Sequence, residues 1–155
     1  LAELNGYFAD TGGSAIIPPE SKLHLQICEV AKMALEKAML EATAGARLNR
    51  IGYAIEKEAR RHGLTVIENL GSHGVGRALH EEPEFIAGYF DKRDKRILRE
   101  NQVITIEPFI SSGAREVYEN GDGWTLITNP GVFTAQYEHI MVITKGKPLI
   151  MTLPA

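Results

Sequence analysis

Apolar residues recur every three or four positions across residues 21–43, at Ile27, Val30, Ala31, Ala34, Leu35, Ala38 and Ala42. That spacing lays one buried stripe along a helix, and Gly45 marks its stop. A second helix is predicted over residues 49–62, with Ile51, Ala54 and Ile55 on one face. Arg60, Arg61 and His62 fall in its last turn, where positive charge suits the helix dipole. Gly63 follows where a left-handed cap residue belongs. Beyond Gly63 the period changes to two, and residues 64–67, 103–110, 125–128, 134–144 and 148–151 read as strands. Ahead of the helices, the Asn5-Gly6 pair centres a hairpin, and an extended run at residues 15–17 stops at Pro18 and Pro19. The charged residues 91–100 read as an exposed loop or short helix. This order predicts an α+β domain, an antiparallel sheet backed by helices on one face.

Composition narrows the class. The chain has 155 residues, 44% hydrophobic and 24% charged, which suits one globular domain spanning residues 1–155. Its net charge is −3, and basic residues cluster only at Lys92, Arg93, Lys95 and Arg96. That argues against nucleic acid as a partner. No apolar run is long enough to cross a bilayer, which argues against a membrane partner. Cys28 is the lone cysteine, so no intrachain disulfide is expected and a reducing, cytoplasmic location fits. No secretory signal stands at the start. Residue 1 is Leu and the hairpin's first strand is short, so the chain is expected to begin partway into a longer domain.

The candidate chemistry lies in acidic and imidazole side chains. Glu107 interrupts an apolar run and shares a face with Val103, Thr105 and Phe109. Glu138 does the same beside Gln136, Ile140 and Val142. A buried carboxylate needs a partner or a metal, although each could instead face water from an edge strand. His73 and His80 lie in the Gly-rich residues 71–83, where glycine lets the backbone take unusual angles and approach a ligand. A turn with incidental histidines is the alternative. Asp10 follows the second strand of the hairpin, a place also suited to an ordinary turn residue. One aspartate, one or two histidines and two glutamates suit Mn, Co or Fe(II) at least as well as Zn, and carboxylates can bridge two ions. No Ser or Cys nucleophile arrangement stands out. His139 points to the opposite sheet face and reads as structural. His24 and His62 read as helix-end residues, with His24 on the surface, and Cys28 as a small buried side chain. Glu81 and Glu82 read as solvent-facing.

Five segments in order carry a resemblance. Asp10 in Phe-Ala-Asp-Thr, His73 in Ser-His-Gly-Val-Gly, His80 in Leu-His-Glu-Glu-Pro, Glu107 in Thr-Ile-Glu-Pro and Glu138 in Gln-Tyr-Glu-His resemble the methionine aminopeptidases. The short gap between His73 and Glu107 is similar to type I. The resemblance implies the pita-bread fold and removal of N-terminal methionine from nascent proteins by a metal-activated water. It implies that Asp10 and Glu138 bridge two divalent ions (Co, Mn, Fe or Zn), that His73 and Glu107 complete one shell, and that Glu107 handles the proton of the water. His80 would hydrogen-bond the scissile peptide, while Trp124 and Leu79 would line the methionine pocket. The family has a further aspartate ligand that would fall before Leu1. The chain is therefore expected to hold at most one ion well, to be inactive or weakly active alone, and to self-associate through an exposed half-domain face. Two alternatives stay open. One is an Xaa-Pro aminopeptidase or prolidase-like peptidase, whose last glutamate usually sits in an Arg-Ile-Glu-Asp context. The other is a non-catalytic binding module on the same fold.

Overall fold

The computed structural model describes residues 1–153. Helix α1 spans Lys22–Glu41, and Ser21 caps it by accepting a hydrogen bond from the His24 N–H at 3.2 Å. Its buried stripe is Ile27, Val30, Ala31, Ala34, Leu35 and Ala38. The helix ends at Ala42, earlier than Gly45, although Gly45 does take a positive φ of 88° in the turn that follows. Helix α2 spans Asn49–Arg61, burying Ile51, Ile55 and Ala59, and Gly63 follows its cap at φ 70°. The two helices pack on each other through these faces. Among the described residues no helix is long and apolar enough to cross a membrane.

Among the described residues, twelve short strands accompany the helices. Strands β1 (Ala2–Leu4) and β2 (Tyr7–Ala9) form the expected hairpin, with positive φ at Asn5 and Gly6. The others are β3 (Thr65–Val66), β4 (Gly71–Gly74), β5 (Glu81–Ala87), β6 (Val103–Ile106), β7 (Phe109–Ser111), β8 (Tyr118–Glu119), β9 (Leu126–Ile127), β10 (Thr134–Gln136), β11 (His139–Val142) and β12 (Leu149–Ile150). A five-stranded sheet has the order β12-β11-β6-β4-β5, a three-stranded sheet the order β10-β7-β3, and β8-β9 is a hairpin. Every pairing is antiparallel. Helix α1 packs against β6, β7 and β10, and α2 against β3 and β5. The core between the layers holds Ile104, Ile106, Ile110, Met141 and Ile143 with the helix stripes.

The strand expectations need correction at several points. The run over residues 103–110 is two strands in two sheets, β6 and β7, and the run over 134–144 is likewise β10 and β11. Both breaks fall at the glutamates. The pairing register is the same on either side, Gln136 with Phe109 and His139 with Ile106, so Glu138 stands opposite Glu107 across the gap. The ladder lapses there because Pro108 has no N–H to donate and both glutamate N–H groups turn elsewhere. That of Glu107 goes to Ser72 Oγ at 3.0 Å, and that of Glu138 to the Gly12 carbonyl at 2.9 Å. The Gly-rich stretch is strand β4 rather than a connection, and β5 and β8 had no periodic cue. Residues 15–17 join no ladder, and residues 91–100 form an irregular loop that still buries Leu98.

Candidate metal centre

The register gap is where the acidic and imidazole side chains meet. His73 lies on β4, between β5 and β6, and its N–H donates to Thr105 Oγ1 at 3.1 Å. Asp10 follows β2 and is held to the sheet through its neighbours. Thr11 Oγ1 donates to the Glu138 carbonyl at 2.9 Å, and Gly12 bridges to Glu138. One ligand atom each of Asp10, His73 and Glu138 lies within 4.8 Å of the others. Glu107 joins them through Oε1, which is 3.3 Å from His73 Nε2. The edge-strand reading fails for Glu107, because β6 and β7 are both interior strands. Glu138 and His73 are each only 4% exposed.

The electrostatics of this cluster ask for positive charge. Burial pushes the Glu138 carboxyl up to about 7, aided by the charges of Glu107 and Asp10 and opposed by the Gln136 hydrogen bond and His73. Its Oε1 is buried without a hydrogen-bond partner among the described residues. For His73, burial disfavours the imidazolium, yet the Glu107 and Gly74 hydrogen bonds and the charges of Glu107 and Glu138 outweigh it and raise the pKa. The Gly74 carbonyl can only accept, so His73 Nδ1 carries a hydrogen and donates it at 2.9 Å. That leaves the Nε2 lone pair facing a carboxylate oxygen, an arrangement that only a proton or a cation reconciles. A divalent ion fits these residues: the donor set is oxygen-rich with one imidazole, and one donor is an orphaned buried oxygen.

The remaining site candidates are placed less centrally. The His80 ring is exposed and meets the His73 ring edge-on, with centroids 4.2 Å apart. Leu79 beside it is half-buried. Trp124 is 87% exposed, between β8 and β9. His139 Nδ1 lies 2.9 Å from Thr152 Oγ1, the hydrogen-bonded role expected of it. His24 is not a free surface residue; it is half-buried with its ring edge-on to Phe133 at 4.4 Å. Glu81 does not simply face solvent, since its carboxylate accepts the N–H groups of Arg77 and Ala78 at 2.6 and 2.9 Å and closes the turn after β4. The glycines beside His73 do not supply unusual angles either. Gly74 and Gly76 have no positive φ; a Cβ on Gly74 would come within 2.5 Å of the Glu82 carbonyl, so what they permit is close approach. Ser72, Thr105 and Gln136 hydrogen-bond the site residues directly, whereas the sequence marks Thr105 and Gln136 only as sharing a face with the glutamates and Ser72 not at all. The cue for Thr105 and Gln136 is a polar residue two places before each glutamate.

Comparison with known proteins places this geometry. The family model for metallopeptidase family M24 matches residues 1–145. A methionine aminopeptidase of Staphylococcus epidermidis is 45% identical over 149 residues, covering 96% of this chain and 59% of the relative. Methionine aminopeptidase 2 of Bacillus subtilis is also 45% identical, over 97% of this chain and 61% of its own length. The crystal structure of a methionine aminopeptidase from Thermotoga maritima superposes with a TM-score of 0.90 at 31% identity, covering 97% of this chain and 60% of that one. The chain thus spans about 60% of the length of these relatives.

Proposed function

Given that the chain belongs to metallopeptidase family M24, we propose that it carries the metal-binding part of an aminopeptidase that removes methionine from the N-terminus of peptides and nascent proteins. The observation that carries this reading is the convergence of Asp10, His73 and Glu138 within 4.8 Å around an unpartnered buried oxygen. Asp10, His73, Glu107 and Glu138 would hold divalent ions, with Co, Mn, Fe and Zn all compatible. Such an ion, when bound, polarises a carbonyl and lowers the pKa of water.

The chain's own residues supply the rest. Glu107, beside His73 Nε2, is the carboxylate placed to take and return a proton. His80 is exposed next to His73 and can donate a hydrogen bond to a peptide group. Leu79 and Trp124 are offered as walls for the methionine side chain, since both present apolar surface. Methionine is preferred over an Xaa-Pro substrate because Glu138 sits in Gln-Tyr-Glu-His and because the 45% identical relatives are methionine aminopeptidases. A cytoplasmic location is proposed on the single cysteine, Cys28.

The test joins binding to turnover. Titration with Mn²⁺ should show about one tightly bound ion per chain, lost in E138Q. Release of the first residue from Met-Ala-Ser and from Xaa-Pro peptides is then followed with Mn²⁺ or Co²⁺ present. Any turnover is expected on Met-Ala-Ser. Turnover confined to Xaa-Pro peptides would transfer the chain to the prolidase-like reading. Failure to bind a divalent ion would favour a non-catalytic binding module.

A further inference from the structure

Strand geometry places residue i−2 on the same face as residue i, and both glutamates of the centre have a hydrogen-bond donor there. Thr105 Oγ1 donates to Glu107 Oε1 at 3.3 Å, and Gln136 Nε2 donates to Glu138 Oε2 at 3.2 Å. Each carboxylate is thus held from its own strand, Glu107 by the oxygen that also lies 3.3 Å from His73 Nε2 and Glu138 by the oxygen opposite its free one. The free oxygen of Glu138 is Oε1, the buried atom without a partner. Thr105 does a second thing: fully buried, it accepts the His73 N–H and so ties the imidazole strand to the Glu107 strand. Gln136 has its own lock. A Cβ on Gly12 would lie 2.5 Å from Gln136 Oε1, so the bare glycine leaves room for the amide to lie against Glu138.

We propose that Thr105 and Gln136 are positioning residues, Thr105 fixing the Glu107 oxygen that faces His73 and Gln136 fixing Glu138 so that its Oε1 is turned to a shared cation. This rests on the metal-centre reading above. The pair is matched across the sheet, because Glu107 and Glu138 are register partners and each takes its donor from two residues upstream. Gly12 belongs to the same device as the space that the amide fills.

The chain is titrated calorimetrically with Mn²⁺ alone, as wild type and as T105V, T105S, Q136L, G12A and E138Q, and each is also unfolded in chelator. T105V and Q136L are expected to weaken Mn²⁺ binding by about 10–100-fold, the usual effect of removing a group that orients a ligand. T105S keeps the hydroxyl and should bind close to wild type. In G12A the new methyl meets the tip of a flexible side chain, so the amide is displaced, binding weakens as in Q136L, and metal-free stability is retained. The visible spectrum of bound Co²⁺ should change in T105V and Q136L and not in T105S. Wild-type affinity in T105V and Q136L, or equal losses in T105S and T105V, would overturn the positioning role while E138Q still reports the site. If wild type itself binds no Mn²⁺, the metal-centre reading fails and takes this inference with it.

Discussion

Glu138 is a carboxyl that the folded chain resists ionising. Its pKa rises from 4.5 to about 7 in the fold, chiefly through burial. Below 4.5 the group is protonated in both folded and unfolded chains and adds nothing to the pH dependence. Between 4.5 and about 7 the folded chain holds a proton that the unfolded chain has released, so stability falls as pH rises. The slope approaches about 1.4 kcal/mol per pH unit. Urea unfolding of the metal-free protein in chelator, from pH 4 to 8, should therefore show wild type losing stability relative to E138Q, with E138Q the more stable above neutrality. Parallel profiles for the two proteins would contradict this. The same burial explains what the sequence made visible at this scale. An acidic residue inside an apolar run announces itself, so Glu107 and Glu138 were readable, and His73 and Asp10 with them through their motifs. Thr105 was not, since threonine in an alternating strand is an ordinary sheet residue and only the folded register shows that it touches both His73 and Glu107.

At the scale of elements, the helices were the most legible because their apolar stripe repeats over many turns, and the hairpin was legible because Asn5-Gly6 demands positive φ. Strand β4 was not, because a strand rich in glycine has too few side chains to show a period, and β5 was not, because its polar and apolar residues do not alternate. Gly52 illustrates a constraint that periodicity hides. It sits buried on α2, and a Cβ there would lie 2.1 Å from the Tyr89 carbonyl and 2.4 Å from that of Ala87. Both are backbone atoms at the end of β5, so neither can swing aside. Two effects oppose each other in G52A. Alanine is the better helix former by about 1 kcal/mol, whereas overpacking a closed contact costs about 1–3 kcal/mol or more. At such distances the clash dominates, and G52A should lower stability by about 2 kcal/mol or more in urea unfolding. A variant as stable as wild type would mean that α2 does not lie this close to β5.

Taken whole, the molecule ties its N-terminal hairpin to the sheet by hydrogen bonds spread along the segment, among them Arg77 to the Tyr7 hydroxyl at 2.7 Å. The Phe8 N–H donates to the Gly76 carbonyl at 2.8 Å, Thr11 Oγ1 to the Glu138 carbonyl, and Glu138 to Gly12. Asp10 rides on that segment, while His73 belongs to the interior strand β4 and Glu138 lies between β10 and β11. A cation held by all three therefore joins the hairpin to the sheet, and its binding energy adds to the stability of the folded chain alone. At a free ion concentration 100 times the dissociation constant, this amounts to about 2.7 kcal/mol. For a chain of this size each kcal/mol moves the melting temperature by about 2–4 °C, so saturating Mn²⁺ should raise it by roughly 5–10 °C. Asp10→Asn should lose most of that rise, since it cuts the one ligand on the hairpin side, and Glu138→Gln should lose it as well. Hydrogen exchange separates this from general stabilisation. Added Mn²⁺ should slow the amides of residues 2–12 as well as those of β4, β6 and β11, because the link constrains both sides. Protection confined to the sheet would mean that Asp10 does not share the ion, and the centre would then be built from His73, Glu107 and Glu138 alone.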